Sequence, residues 1–173
     1  MKSLALILFL IVLNSYLFGN FLKKESHLVF NGWNVQRLQI NTQIFNDLKN
    51  AINNQDISLV GELLSLIQNE FKIVYYIEDY EPGLPLIHKV INTGNYYFIS
   101  FFLNQLNSVE EIKFVLICNA GNGQTALKAI FKKGWEFRIH LLAESIQKKF
   151  LKVAKVLEEI ILEEKIRPEI LSN

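Results

Sequence analysis

Apolar residues recur along this chain in a fixed phase. Counted from Leu48, the offsets +3, +4, +11, +12, +15 and +16 fall on Ala51, Ile52, Leu59, Val60, Leu63 and Leu64. From Ile87 the same offsets give Val90, Ile91, Phe98, Ile99, Phe102 and Leu103, and from Leu127 they give Ile130, Phe131, Arg138, Ile139, Leu142 and Ala143. Seventeen of these eighteen positions are apolar, Arg138 being the exception. Spacings of three and four put residues on one helical face, so each block predicts a short helix, a tight turn and a second helix. The turn position, +7, holds Gln55, Gly94 and Gly134; glycine is the residue that most readily takes the left-handed conformation ending many helices. Thr42 and Thr125 stand where a side-chain oxygen can cap the first turn.

The third block, Gly123-Gln-Thr-Ala-Leu-Lys-Ala-Ile-Phe-Lys-Lys-Gly134, resembles an ankyrin repeat, whose pattern runs Gly-x-Thr-Pro-Leu-His-x-Ala before a glycine-bounded turn. The middle block reads Gly83-Leu-Pro-Leu-Ile-His88, with His88 at the motif's histidine and Pro85 one place early. The first block, around Asp47-Leu48-Lys49, lacks the Thr-Pro pair, and Lys128 stands at the histidine position of the third. The blocks start 39 and 40 residues apart, against a family period of about 33. The surplus falls in the connections, where solenoids accept insertions. The resemblance covers roughly residues 42–146 and implies a mainly α fold, an ankyrin-like helix-turn-helix solenoid with a C-terminal capping helix. It also implies a module that binds another protein without catalysis. In that family the connections form β-hairpin fingers, the motif histidine braces the turn, and partners lie against the fingers and the exposed side of the first helices.

The ends read differently. Met-Lys-Ser is followed by ten uninterrupted apolar residues, Leu4 to Leu13, the charged start and apolar run of a signal peptide. Residues 1–19 are therefore expected to direct export, to the periplasm, the cell envelope or the medium. The run falls short of the roughly 20 residues that span a bilayer. Extended through residues 4–22 it becomes an uncleaved membrane anchor, the alternative. Residues 20–41, with an Asn31-Gly32 turn signal, are expected to cover the open face of the first repeat. Ile146, Phe150, Val153, Leu157 and Ile160 continue a helical stripe. They predict a helix over residues 146–165, so that residues 147–173 form the capping helix and tail.

Charge narrows the partners. The 18 Lys and Arg residues nearly balance the 17 Asp and Glu, so nucleic acid is not expected as a ligand, nor is a membrane except through the N-terminal segment. Cys118 is the only cysteine, which excludes an intramolecular disulfide and any multi-cysteine metal site; its apolar neighbours predict a buried thiol. His27, His88 and His140 are isolated in sequence, and His140 with Glu144 at i, i+4 makes at most half of a metal site. No phosphate loop, serine elbow or paired-cysteine motif is present, so no cofactor, metal or catalytic residue is expected. The competing class is an exported enzyme, or an enzyme inhibitor, on a non-repeat helical fold. Richness in Ile, Asn, Lys, Phe and Tyr resembles the drift of an AT-rich bacterial genome.

Two surfaces are candidates for binding. Residues 70–82 hold Tyr75, Tyr76 and Tyr80 interleaved with Glu78, Asp79 and Glu81; tyrosine offers large amphipathic area at low entropy cost. Lys72-Ile-Val-Tyr-Tyr-Ile77 has the content of a strand, as a finger requires. By repeat phase, the first helices expose Lys49 and Asn53, Lys89 and Asn92, and Lys128 and Lys132. The partner-binding residues expected are Tyr75, Tyr76, Tyr80, Lys89, Asn92 and Lys132.

Overall fold

The computed structural model describes residues 29–30, 33–34, 41–77, 84–118 and 124–166, and the protein is mainly helical. The chain divides into two compact units, Met1–Leu38 and Gln39–Asn173. The first contains an antiparallel pair, β1 (Val29–Phe30) and β2 (Trp33–Asn34), in the register Val29 to Asn34 and Phe30 to Trp33. The two residues between the strands are Asn31 and Gly32, the dipeptide most strongly associated with two-residue hairpins. The expected signal peptide or anchor and the tail beyond residue 166 lie outside the described residues, as does most of the expected N-terminal cap. Among the described residues no helix is long and apolar enough to cross a membrane.

The second unit is a succession of helices whose starts are set by polar caps. Asn41, one residue before the expected Thr42, caps α1 (Thr42–Asn53): its Oδ1 accepts from the N–H groups of Gln43 and Ile44. The side-chain oxygen of Asn41 thus satisfies two of the donors a helix start leaves unpaired. Asp56 caps α2 (Ile57–Leu66) through the Leu59 N–H. Asn95 does the same for α5 (Tyr96–Asn104) at Phe98, and Thr125 for α7 (Ala126–Lys132) at Lys128, as expected. Pro85 precedes α4 (Leu86–Asn92). Ser108 caps α6 (Val109–Ile117) by accepting from Glu111, whose carboxylate returns to the Asn107 N–H, 2.8 Å away.

The connection after α2 departs from the expectation of a β-hairpin finger. A 3-10 turn (Asn69–Phe71) leads into a helix, α3 (Lys72–Ile77). Its β-branched and aromatic run is buried on several sides, with Val74, Tyr75 and Tyr76 all in the core. A short buried apolar run carries no period that distinguishes strand from helix, and tertiary packing decides. The second connection likewise contains α6, and the C-terminal helix α9 (Leu151–Ile166) follows α8 (Trp135–Gln147).

Packing follows three columns. In the first, α1 packs on α4 and α4 on α7. In the second, α5 packs on α8; Gly61 of α2 lies against Phe101 of α5, where a Cβ would come within 3.1 Å of the ring. The third joins α3 to α6 and α6 to α9. Polar ties cross between blocks: Asn95 Nδ2 donates to Gln55 Oε1 at 3.3 Å, turn to turn, and the buried Ser100 and Ser145 hydroxyls meet at 2.8 Å between α5 and α8.

The residues at +7 all have positive φ: 53° at Gln55, 70° at Gly94 and 93° at Gly134. In the first two blocks an αL residue precedes a separate N-cap, Asp56 or Asn95. In the third, Gly134 is itself the N-cap of α8. That turn is one residue shorter, so the apolar frame of α8 slips by one. Phe137, Arg138, Leu141 and Ser145 face the core, while Ile139 and Ala143, expected inside, are exposed.

The expected helix over 146–165 is interrupted. α8 ends at Gln147, Lys149 takes φ 59°, and α9 begins at Leu151. Phe150 N–H donates to Ser145 O and Lys149 N–H to Ile146 O, the paired bonds of a Schellman ending with lysine where glycine is usual. The reversal returns α9 along α8 and onto α6, burying Val153, Val156 and Leu157.

Candidate partner-binding surface

Tyr75 and Tyr76 are buried, which overturns their expected role as partner contacts. The Tyr75 hydroxyl accepts from the Asn41 N–H at 3.0 Å, tying α3 to the start of α1. The Tyr76 hydroxyl donates to Phe102 O at 2.6 Å, and its ring stacks on Phe102 with centroids 4.1 Å apart. Burial, with the Glu111 charge adding to it, pushes the Tyr76 phenol well above its ordinary pKa. Both hydroxyls are occupied inside the fold because a buried phenol requires a hydrogen-bond partner. Tyr80 lies outside the described residues.

The first-helix residues are accessible. Asn53, Asn92 and Lys132 share offset +5 and are exposed at the C-terminal ends of α1, α4 and α7. These are helices that pack in succession. Lys128 is exposed, whereas Lys49 and Lys89 are half-buried. Lys89 and Lys132 occupy the last turns of α4 and α7, where a cation also complements the helix dipole.

Charged groups on α6 and α9 brace the fold. Lys152 donates to Leu106 O and, at 3.3 Å, to Asn104 O, closing the carbonyl end of α5. Lys113 pairs with Glu159, joining α6 to α9. Burial lowers the Lys72 pKa; the Glu111 charge opposes that shift, and Lys152 contributes a smaller lowering. Asn107 bridges Glu111 Oε1 at 3.3 Å and Asn69 O at 3.4 Å. Lys152, Lys113 and Asn107 are each directed at backbone or at a neighbouring side chain.

His88 is buried at the start of α4, in a small cleft it shares with Ile77, Pro85, Val115 and Cys118. Cys118, expected buried, is half-buried. Burial lowers the His88 pKa from its ordinary 6.5, so the folded protein favours the neutral ring. The unfolded chain then binds the proton more readily. His88's stabilising contribution is complete above pH 6.5 and is lost as the pH falls through the folded pKa. The slope from one such group is at most about 1.4 kcal/mol per pH unit. Thermal unfolding followed between pH 7 and 5 should show a steeper loss in the wild type than in His88→Asn. Parallel profiles would show that the imidazole titrates alike in both states.

His140 is exposed and lies beside Tyr96, ring centroids 5.5 Å apart. Among the described residues no group of three or more His, Cys, Asp or Glu side chains could hold a metal ion.

One feature escaped the sequence pattern. The frame slip in α8 leaves Trp135, Ile139 and Ile146 between 38% and 51% exposed, at spacings of four and seven along one side of the helix. The opposite side is buried through Phe137, Leu141 and Ser145. The signal lay in the turn length, Lys133-Gly134 against Thr93-Gly94-Asn95. No family model, curated protein or solved structure is significantly similar to this chain.

Proposed function

We propose that the chain is an exported, ankyrin-like repeat protein that binds another protein and has no catalysis of its own. The reading rests chiefly on one observation: a residue with positive φ recurs at the same offset in three blocks, at Gln55, Gly94 and Gly134, whose first helices pack in succession. Stacked units of that kind form extended binding surfaces. Each unit here adds a third helix, α3, α6 or α9, in place of a hairpin finger. The binding surface is then the accessible side of the first helices, with Lys89, Asn92 and Lys132 as its contacts. Export, or anchoring through residues 4–22, follows from the apolar run after Lys2.

The test is crosslinking of the chain in its native cells. A variant carrying Lys89→Glu, Asn92→Ala and Lys132→Glu is run alongside, and mass spectrometry reads the chain's N-terminus. The expected result is one protein crosslinked through the first-helix lysines and lost in the variant, on a chain lacking residues 1 to about 19. Retention of Met1 in a cytosolic chain would overturn export. Undiminished crosslinking in a folded variant would overturn the first-helix surface.

A further inference from the structure

We infer that the open end of the third block is a second docking surface, for an amphipathic helix with acidic flanks on a partner protein. The inference rests on the same reading of the chain as a binding module and goes beyond the first-helix surface. α8 is apolar on two sides. One side, Phe137 and Leu141, is covered by the fold; the other, Trp135, Ile139 and Ile146 with half-buried Leu142, is not. With Trp135 taken as the reference direction at 100° per residue, Ile139, Leu142 and Ile146 all fall within about 40° of it. Exposed Ala143 lies beside this strip, so a second helix can approach closely. At its N-terminal end the strip continues onto α7, where the Arg138 guanidinium lies over the Phe131 ring at 4.4 Å and over Trp135 at 5.5 Å. α9 leaves this side open because it packs along α8, α6 and α5.

Charge selects the occupant. Residues 124–150 carry five exposed lysines, Lys128, Lys132, Lys133, Lys148 and Lys149, besides the buried Arg138, against two carboxylates, Glu136 and Glu144. The chain as a whole has a net charge of only +1, so this end is distinctly basic. A second copy presenting the same face would place lysines against lysines, and like charges brought together disfavour association. An apolar stripe flanked by Asp and Glu matches both the strip and the net positive charge of the segment that carries it. It is also the helix-in-groove mode, read at i, i+4 and i+7. α8 is 13 residues long, so a helix of about 20 Å covers it.

The experiment titrates the full chain with two synthetic helices, each of about 13 residues to match that span. Both carry a leucine stripe, one flanked by glutamates and the other by lysines. The expected result is that the glutamate-flanked peptide binds at least about tenfold more tightly, with affinity falling as salt is raised. Ile139→Asp and Ile146→Asp should each weaken it by about tenfold or more, because each puts a carboxylate into the desolvated strip, and leave the melting temperature unchanged. Equal binding of the two peptides, no binding of either, or full binding by both variants would overturn the proposal. Concentration-dependent dimers abolished by Ile139→Asp would overturn it in favour of a second copy. Loss of native crosslinking in the first-helix variant with peptide binding intact separates the two surfaces: the peptide site would stand whatever became of the first-helix one.

Discussion

Tyr76→Ala is expected to destabilise the protein by about 3 to 5 kcal/mol, the range for removing a large buried aromatic side chain. The ring is fully buried, stacked on Phe102, and hydrogen-bonded to the Phe102 carbonyl. Its position raises the cost. α3 has only six residues, too few to be helical without tertiary support, and Tyr76 is its link to α5 in the following block. Tyr76→Phe separates ring from hydroxyl. The Phe102 carbonyl also accepts from the Gln105 N–H at 3.2 Å, so losing the phenol does not orphan it, and the cost should be about 1 kcal/mol. Urea unfolding of the two variants measures both terms. A Tyr76→Ala protein with the wild-type midpoint would mean that α3 is not packed on α5, and would return the tyrosines to the surface.

The contrast between Tyr76 and Ile139 marks how far the pattern of residues can be read. In the first two blocks the frame predicts burial well: of its apolar positions only Leu59 is exposed. The same frame fails in α8 for a local reason, since one residue fewer in the turn rotates every later side chain by about 100°. Periodicity reports which residues share a face and cannot say which face the fold covers. Ile139 thus falls on an expected core position and Ile146 on the expected C-terminal stripe, although both are exposed. Tyr75 and Tyr76 show the opposite limit: they lie outside the repeated positions and are nonetheless part of the core. Lys149 shows a third limit. A Schellman ending is normally announced by glycine, and here Ser145, Ile146 and Phe150 supply its bonds around a lysine. The Thr125 cap is more legible, because a cap depends on a few adjacent residues and little on what packs around them.

Gly134→Val is expected to cost about 1 to 3 kcal/mol, through the backbone alone. Gly134 has φ 93° and ψ 172°, an extended left-handed region that is essentially confined to glycine and costs other residues that much. Nothing lies within 4 Å of where a Cβ would stand, so a side chain meets no clash and the measured loss reports conformation. Gly94 supplies the control. Its φ of 70° lies close to the αL basin that asparagine enters readily, and its surroundings are equally open. Gly94→Asn should therefore change stability by less than about 1 kcal/mol. Gly134→Asn should lose more, although the substitution is chemically the same. The difference arises because the shortened turn makes one residue do the work of two: it ends α7 and begins α8. Thermal unfolding of the three variants tests this directly, and equal midpoints for Gly134→Val and wild type would show that the turn does not hold this conformation. Inserting one residue after Lys133 should relax the turn. It should also bring Phe137, Arg138, Leu141 and Leu142 onto the offsets +11, +12, +15 and +16 that the first two blocks bury, Leu59 apart, so α8 keeps its covered face and Ile139 stays on the strip.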